Sequence, residues 1–196
     1  MRVVRPLLIV ALAGMLARDA DAQSAQPVSL QASALFNGVF GNLFEHLQNG
    51  FGGEAQIRYT PGALSFGAGF QYTSHAFEGR TERANLYGVF VEPRYRIHAG
   101  SNVAAPYVSV RLSLLKVGIT GGDLSLTSSF IQLNGGGGLL VRLSPRINLD
   151  LGATFGYDRL SAGEFRSAES GASLPVGSSS GANAMARLGL AVGIGG

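Results

Sequence analysis

The stretch Phe130–Tyr157, FIQLNGGGGLLVRLSPRINLDLGATFGY, decides the fold. Two runs of alternating apolar and polar or small residues flank Ser144-Pro145-Arg146. In the second run Ile147, Leu149, Leu151, Ala153, Phe155 and Tyr157 share one face, and Asn148, Asp150, Gly152, Thr154 and Gly156 share the other. A helix would scatter both sets around its axis, whereas a strand sorts them cleanly. A three-residue turn at Ser144–Arg146 sets Leu143 opposite Ile147, Val141 opposite Leu149 and Gly138 opposite Gly152, so like faces like. The same register lays Phe155 over Gly135.

The same period of two recurs along the chain. Eight strands are predicted, at about Val28–Phe36, Phe51–Tyr59, Leu64–Ser74, Asn85–Ile97, Ala105–Leu115, Phe130–Leu143, Ile147–Asp158 and Ala182–Ile194. Their connections alternate in length. Thr60–Ala63, a stretch around Ala99–Asn102, and Ser144–Arg146 are short, while the others are long, polar and glycine-rich, the last running from about Arg159 to Gly181. This pattern describes an antiparallel up-and-down meander, and closing it into a barrel removes its edges. A four-residue turn at Thr60–Ala63 predicts Phe70 opposite Gly53, and pairing Ile97 with Pro106 predicts Glu92 opposite Arg111.

Two barrels of opposite polarity fit a meander: apolar inside, as in soluble ligand carriers, or apolar outside, as in a membrane. The polar face decides between them. A solvent-facing strand surface is normally filled with Lys, Glu and Thr, but this one carries Gly67, Gly69, Gly88, Gly136, Gly138, Gly152, Gly156, Gly189 and Gly193. Small residues suit a crowded interior, where they make room for long ones. The long ones are Glu54, Arg58, Glu92, Arg94, Arg96, Arg111, Arg142, Asp150 and Arg187, mixed in sign and able to pair as a lumen charge network. The opposite face is Leu, Val, Ile, Ala and Phe, with Tyr59, Tyr72, Tyr95 and Tyr157 near strand ends as interface aromatics. The predicted fold is therefore all-β, an eight-stranded antiparallel transmembrane β-barrel.

Composition agrees with this polarity. The chain is 46% hydrophobic with 29 glycines, and 14% charged, which is low for a domain whose surface faces water. It opens MRVVRPLLIVALAGMLARDADAQ, with Arg2 and Arg5 before an apolar stretch and Ala20-Asp21-Ala22 as a cleavage site. Residues 1–22 are therefore expected to be a signal peptide, and 23–196 the barrel domain. With no cysteine, an exported domain relies on its backbone ladder and core rather than on disulfides. Of the 15 basic and 12 acidic residues, three arginines and two aspartates lie in the leader, which leaves about +2. The arginines are dispersed singly and Lys116 is the only lysine, so no nucleic-acid footprint is present.

In this alternation, its loop lengths and its glycine-lined polar face, the chain resembles the small eight-stranded outer-membrane barrels of the OmpA/OmpX type. The resemblance covers all of 23–196 and rests on pattern rather than on a motif. It implies a bacterial outer-membrane location, termini and short turns in the periplasm, long extracellular loops, and contact with outer-membrane lipid and lipopolysaccharide. A surface ligand for the loops and a monomeric state are the partner expectations. Barrels of this type usually end their last strand with an aromatic residue, whereas this chain ends Ala191-Val192-Gly193-Ile194-Gly195-Gly196. No peptidoglycan-binding domain is expected after that strand.

Little in the sequence points to chemistry, and no catalytic residue, cofactor or metal site is expected. His98-Ala99-Gly100-Ser101-Asn102 resembles the His-x-Ser-Asn element of outer-membrane lipid A deacylases, but with the wrong spacing: residues three apart on a strand face opposite ways. Ser74 and His75, with Glu78 nearby, are adjacent and so also point apart. The glycine run lacks the Gly-Lys-Ser/Thr ending of a phosphate loop. The expected role is structural or surface-interacting, through loops such as Phe77–Ala84 and Arg159–Gly181. A narrow anion pore, from the excess of arginine over acid, and a lipid-modifying enzyme are the alternatives.

Overall fold

The computed structural model describes residues 26–101, 103–120, 124–161, 163–167 and 173–194. The signal-peptide expectation for residues 1–22 lies outside them, as do Asn102, Gly195 and Gly196. Ten strands form: β1 (Val28–Phe40), β2 (Gly50–Tyr59), β3 (Leu64–Ala76), β4 (Arg83–Arg96), β5 (Ala104–Thr120), β6 (Leu124–Arg142), β7 (Ile147–Leu160), β8 (Gly163–Ser167), β9 (Ser173–Val176) and β10 (Ser179–Ile194). Strands β1 to β7 pair in sequence, and β10 pairs with both β7 and β1, so eight antiparallel strands close the barrel. The hairpin β8–β9 lies within the last long connection and pairs with β6 through Leu124–Thr127.

Closure fixes the stagger. Following partners from Arg96 through Tyr107, Gly138, Gly152, Arg187, Leu35, Gly52 and Thr73 returns to β4 at Leu86, ten residues from the start. A stagger of this size tilts the strands by roughly 35–45° and leaves an interior wide enough for side chains alone. The polarity is inverted, as the glycine-lined face requires. Phe66, Phe70, Leu151 and Phe155 are 50%, 49%, 40% and 63% exposed, while Glu92 and Asp150 are fully buried. Among the described side chains, outward charges on the strands sit only toward the long-loop end, at Arg83, Lys116 and Arg159. Tyr59, Tyr72, Tyr95 and Tyr157 all face outward.

Two of the three predicted registers form. Gly138 pairs with Gly152 and Gly135 with Phe155. Arg94 pairs with Ser109 and Arg96 with Tyr107, and Ile97 N donates to Pro106 O at 2.8 Å, which is the register that sets Glu92 across from Arg111. The third is corrected: Phe70 pairs with Ala55, and Gly53 lies opposite Tyr72. Ladder pairing stops at Tyr59–Phe66, so the connection is two residues longer than the four-residue turn expected at Thr60–Ala63. Arg96 holds it from inside, donating its backbone N–H to Ala63 O and its guanidinium to Gly62 O. A slip of two residues leaves every side chain on its own face, which is why polarity survives the error.

The strands also run further than the sequence pattern suggests. At the long-loop end β5 and β6 span 17 and 19 residues, and the Arg159–Gly181 connection, expected as a loop, contains β8 and β9. The first long connection folds back over the mouth through a 3-10 turn at Asn42–Phe44. It is tied down by Gln48 N to Ala76 O at 2.9 Å and Glu78 N to His46 O at 3.0 Å. Not all of the interior is polar: Val39, Leu86, Leu115, Phe130 and Leu160 point inward beneath this connection and pack with Phe44.

The closed ladder should keep the protein in detergent folded until it is boiled. Unheated protein is expected to migrate faster than boiled protein in gels, and equal migration would argue against closure. Gly138 is the tightest test of the crowded wall, because a Cβ there would run into Leu151 O and Tyr107 Oη. Gly138→Val should lower the temperature at which the heat-modified band appears, at a cost of about 1–3 kcal/mol.

Candidate functional site in the barrel lumen

Alternation carries one residue in two to the interior, so each strand delivers its polar set to the lumen at a height fixed by the stagger. At mid-height three carboxylates meet four guanidiniums. Glu92, on β4, lies 2.6 Å from Arg111 on β5, 2.9 Å from Arg94, 3.0 Å from Arg187 on β10 and 3.6 Å from Arg58 on β2. Glu54 is 2.6 Å from Arg111 and 3.4 Å from Arg187. Asp150 is 2.9 Å from Arg94 and 3.2 Å from Arg187 Nε. In these last two contacts the N–H groups are not aimed at the oxygen, so the attraction there is between charges rather than a hydrogen bond.

Neutral groups complete the network. Tyr107 Oη donates to Asp150 Oδ1 at 2.6 Å and accepts from Arg187 Nη2 at 2.8 Å. Gln31 Nε2 donates to Asp150 Oδ2 at 2.7 Å. The Arg94 guanidinium stacks 4.5 Å from the Tyr107 ring centroid, and that of Arg111 lies 3.9 Å from Phe90's. These flat contacts suit arginine, whose delocalised charge tolerates an aromatic face where lysine's compact ammonium would lose its hydration.

Of the nine charged residues singled out from the sequence, seven converge: Glu54, Arg58, Glu92, Arg94, Arg111, Asp150 and Arg187. Arg96 and Arg142 are also inward but stand below the network at the short-turn end, and Arg96 binds the Gly62 carbonyl instead of a carboxylate. Their positions near the strand ends explain the separation. Sequence reasoning misses Tyr107, because tyrosine reads as a rim residue. Its inward side follows from parity with Arg111 on the same strand. The room for its ring comes from Gly138 and Gly152, whose added Cβ atoms would meet Tyr107 Oη at 2.5 and 2.6 Å.

A second polar layer, also missed, lies higher. Asn134 Nδ2 donates to Asn183 Oδ1 at 2.6 Å, and Asn183 Nδ2 donates to Asp158 Oδ2 at 2.8 Å. Gln71 Nε2 reaches Gln132 Oε1 at 3.3 Å. Short amides on inward positions carry no charge signal, and Asp158 reads only as a strand end. Above them His75 is fully buried, with Nδ1 3.1 Å from Gln48 O and Nε2 3.1 Å from Thr73 Oγ1. Ser74 faces the other side and accepts from Arg83 Nε at 2.8 Å, so Ser74 and His75 do not meet. Ser101 Oγ accepts from Val103 N and Ala104 N, both at 3.2 Å, and so caps the turn that follows exposed His98. Among the described residues no three His, Asp or Glu side chains converge as a metal site built from such groups would need.

No family model and no curated protein matches the sequence. Solved structures do match the fold. Neisserial surface protein A superposes with a TM-score of 0.66 at 18% identity, over 86% of this chain and 97% of that one. Ail, the attachment invasion locus protein of Yersinia pestis, gives 0.53 at 17% identity, over 84% and 96%. The outer membrane protein OprG from Pseudomonas aeruginosa gives 0.53 at 9% identity, over 89% and 98%. Shared architecture at such low identity, joined to an outward apolar wall and an inward charge network, defines the class: an integral eight-stranded β-barrel of the bacterial outer membrane.

Removing one member of a buried charge cluster leaves its partners uncompensated, which costs about 3–5 kcal/mol. Arg111→Leu strips Glu54 of its short contact and Glu92 of one of four. The variant should unfold at clearly lower temperature or denaturant concentration than the parent. An unchanged midpoint would show that the cluster does not depend on that arginine.

Proposed function

We propose that this protein is a structural or surface-interacting component of the outer membrane, and that its long-loop end does the work while the lumen stays shut. One observation carries this reading: the lumen is occupied at every height. Arg96 lies at the bottom, the charge network at mid-height, amides above it, and Val39, Leu115, Phe130 and Leu160 under Phe44 at the top. A cylinder filled in this way offers solutes no path and puts its adaptable surface in the connections. The proposal includes export by a cleaved leader at residues 1–22, a barrel domain over 23–196, a monomer in contact with lipid and lipopolysaccharide, and a loop ligand at the cell surface. It assigns no catalytic step and no cofactor.

A second reading, a narrow anion path, has one observation in its favour. Among the described residues, six inward arginines (Arg58, Arg94, Arg96, Arg111, Arg142 and Arg187) face four inward acids (Glu54, Glu92, Asp150 and Asp158), which leaves the lumen net positive. Planar bilayers separate the two. The reconstituted protein is expected to give no resolved conductance steps. Regular steps with anion selectivity, lost on heating, would replace the first reading with the second.

A further inference from the structure

Lys116 is the only lysine in the chain, and it stands on the outward side of β5. Its rung runs from Tyr87 on β4 through Lys116 to Ser129 on β6, and on to Ser161 just past β7, whose N–H donates to Ser129 O at 3.0 Å. Two residues lower, on β7 and opposite Ile131, is Arg159. Lys116, Ser129 and Arg159 are all exposed. Among the described residues no acidic side chain occupies an outward position of β4 to β7, so the wall leaves both cations uncompensated.

The stagger sets their heights. A circuit along the rungs from β4 toward β7 returns ten residues higher on β4. Each strand crossed in that direction therefore climbs about 3 Å, and each residue down a strand drops about 2.5 Å. Two strands across and two residues down leave Lys116 and Arg159 level, with their Cα atoms about 12 Å apart. Ser129 lies between them and slightly above. Below them Leu114, Ile131 and Leu133 are exposed, with Tyr87 on one flank and Tyr157 on the other. Arg83, the third outward cation, stands higher on β4 and turns toward β3, donating to Ser74 Oγ at 2.8 Å and Ser74 O at 3.3 Å.

Charged side chains on a lipid-facing wall are costly at mid-membrane and tolerated at headgroup level, the level that outward tyrosines also mark. From this geometry we infer that Lys116 and Arg159 bind the headgroup of a glycolipid carrying two phosphoryl groups, the lipid A class, in the leaflet at the long-loop end. Lys116 takes one phosphate and Arg159 the other, Ser129 Oγ can donate between them, and the acyl chains descend over Leu114, Ile131 and Leu133. A phospholipid would bring one phosphate to two cations, whereas a bisphosphorylated headgroup matches both. The site names the residues behind the lipopolysaccharide contact proposed above, and rests on that reading.

The test is native mass spectrometry of the full-length protein in nonionic detergent, titrated with diphosphoryl lipid A, monophosphoryl lipid A or phosphatidylglycerol. Diphosphoryl lipid A should bind about tenfold more tightly than either of the others. Lys116→Gln and Arg159→Gln should each weaken it about tenfold, and the double variant should erase the preference. Arg83→Gln should leave it intact, as should Lys116→Arg, which keeps the charge. Faster migration of each unheated variant confirms its fold; if a glutamine variant fails that check, the parent's preference among the three lipids still decides. Equal affinity for all three, a preference that survives in the double variant, or an equal loss in Arg83→Gln would overturn the site. Displacement of lipid A by inorganic phosphate would also overturn it, by marking a site for the free anion. If these tests fail while lipopolysaccharide still accompanies the protein from outer membranes, the patch alone falls; if none accompanies it, the broader contact falls as well.

Discussion

Every backbone N–H and C=O on a wall that faces hydrocarbon has to find its partner within the protein, because lipid supplies none. A sheet meets that demand only by closing on itself, and the closed sheet then has a fixed and narrow bore. The rest of this molecule follows from the bore. Side chains that cannot face lipid must fit inside it, and long ones fit only where the opposite wall is bare. Gly138 and Gly152 are bare beside Tyr107, and Gly67 is bare where Arg58 lies across it. Glycine and arginine thus work as a pair, one giving up volume that the other fills.

The charges in the bore are arranged for mutual compensation rather than for transport or reaction. Glu92 touches four arginines, and Arg187 reaches all three carboxylates of the cluster. Shared partners of this kind couple five strands, β2, β4, β5, β7 and β10, across the barrel rather than along its ladder. The hydrogen-bonded wall gives the cylinder its closure, and the cluster gives it a defined cross-section. The apolar layer beneath Phe44 then separates this charged middle from the mouth.

Much of this is legible in the sequence because alternation is a strong signal when one face meets lipid and the other meets a charged lumen. Ile147 to Tyr157 needs no neighbour to show its two sides, and the Ser144–Arg146 turn fixes its register. The Thr60–Ala63 turn is misjudged because its length depends on Arg96, whose guanidinium holds the Gly62 carbonyl from 34 positions further along the chain. The amide layer is invisible for another reason. Asn134 and Asn183 look like ordinary strand residues until the closed barrel sets β6, β7 and β10 side by side, where Asn134 reaches Asn183 and Asn183 reaches Asp158. Inward Leu86, Leu115 and Phe130 look like continuations of an apolar face, since periodicity alone does not reveal where a polar lumen ends. Beyond Arg159 the polar composition hides two strands, β8 pairing with the far end of β6 and β9 with β8.

The walls of this cylinder are of unequal height. β2 has 10 residues, whereas β5 and β6 have 17 and 19, and β8 and β9 join the tall side. The molecule is therefore shaped like a quill cut on the slant, and a large object approaching its long-loop end would rest against the point before reaching the opening. Contact would come first along a ribbon of hydrogen-bonded backbone, a stiff and directional feature, and only afterwards with the shorter connections clustered at the heel.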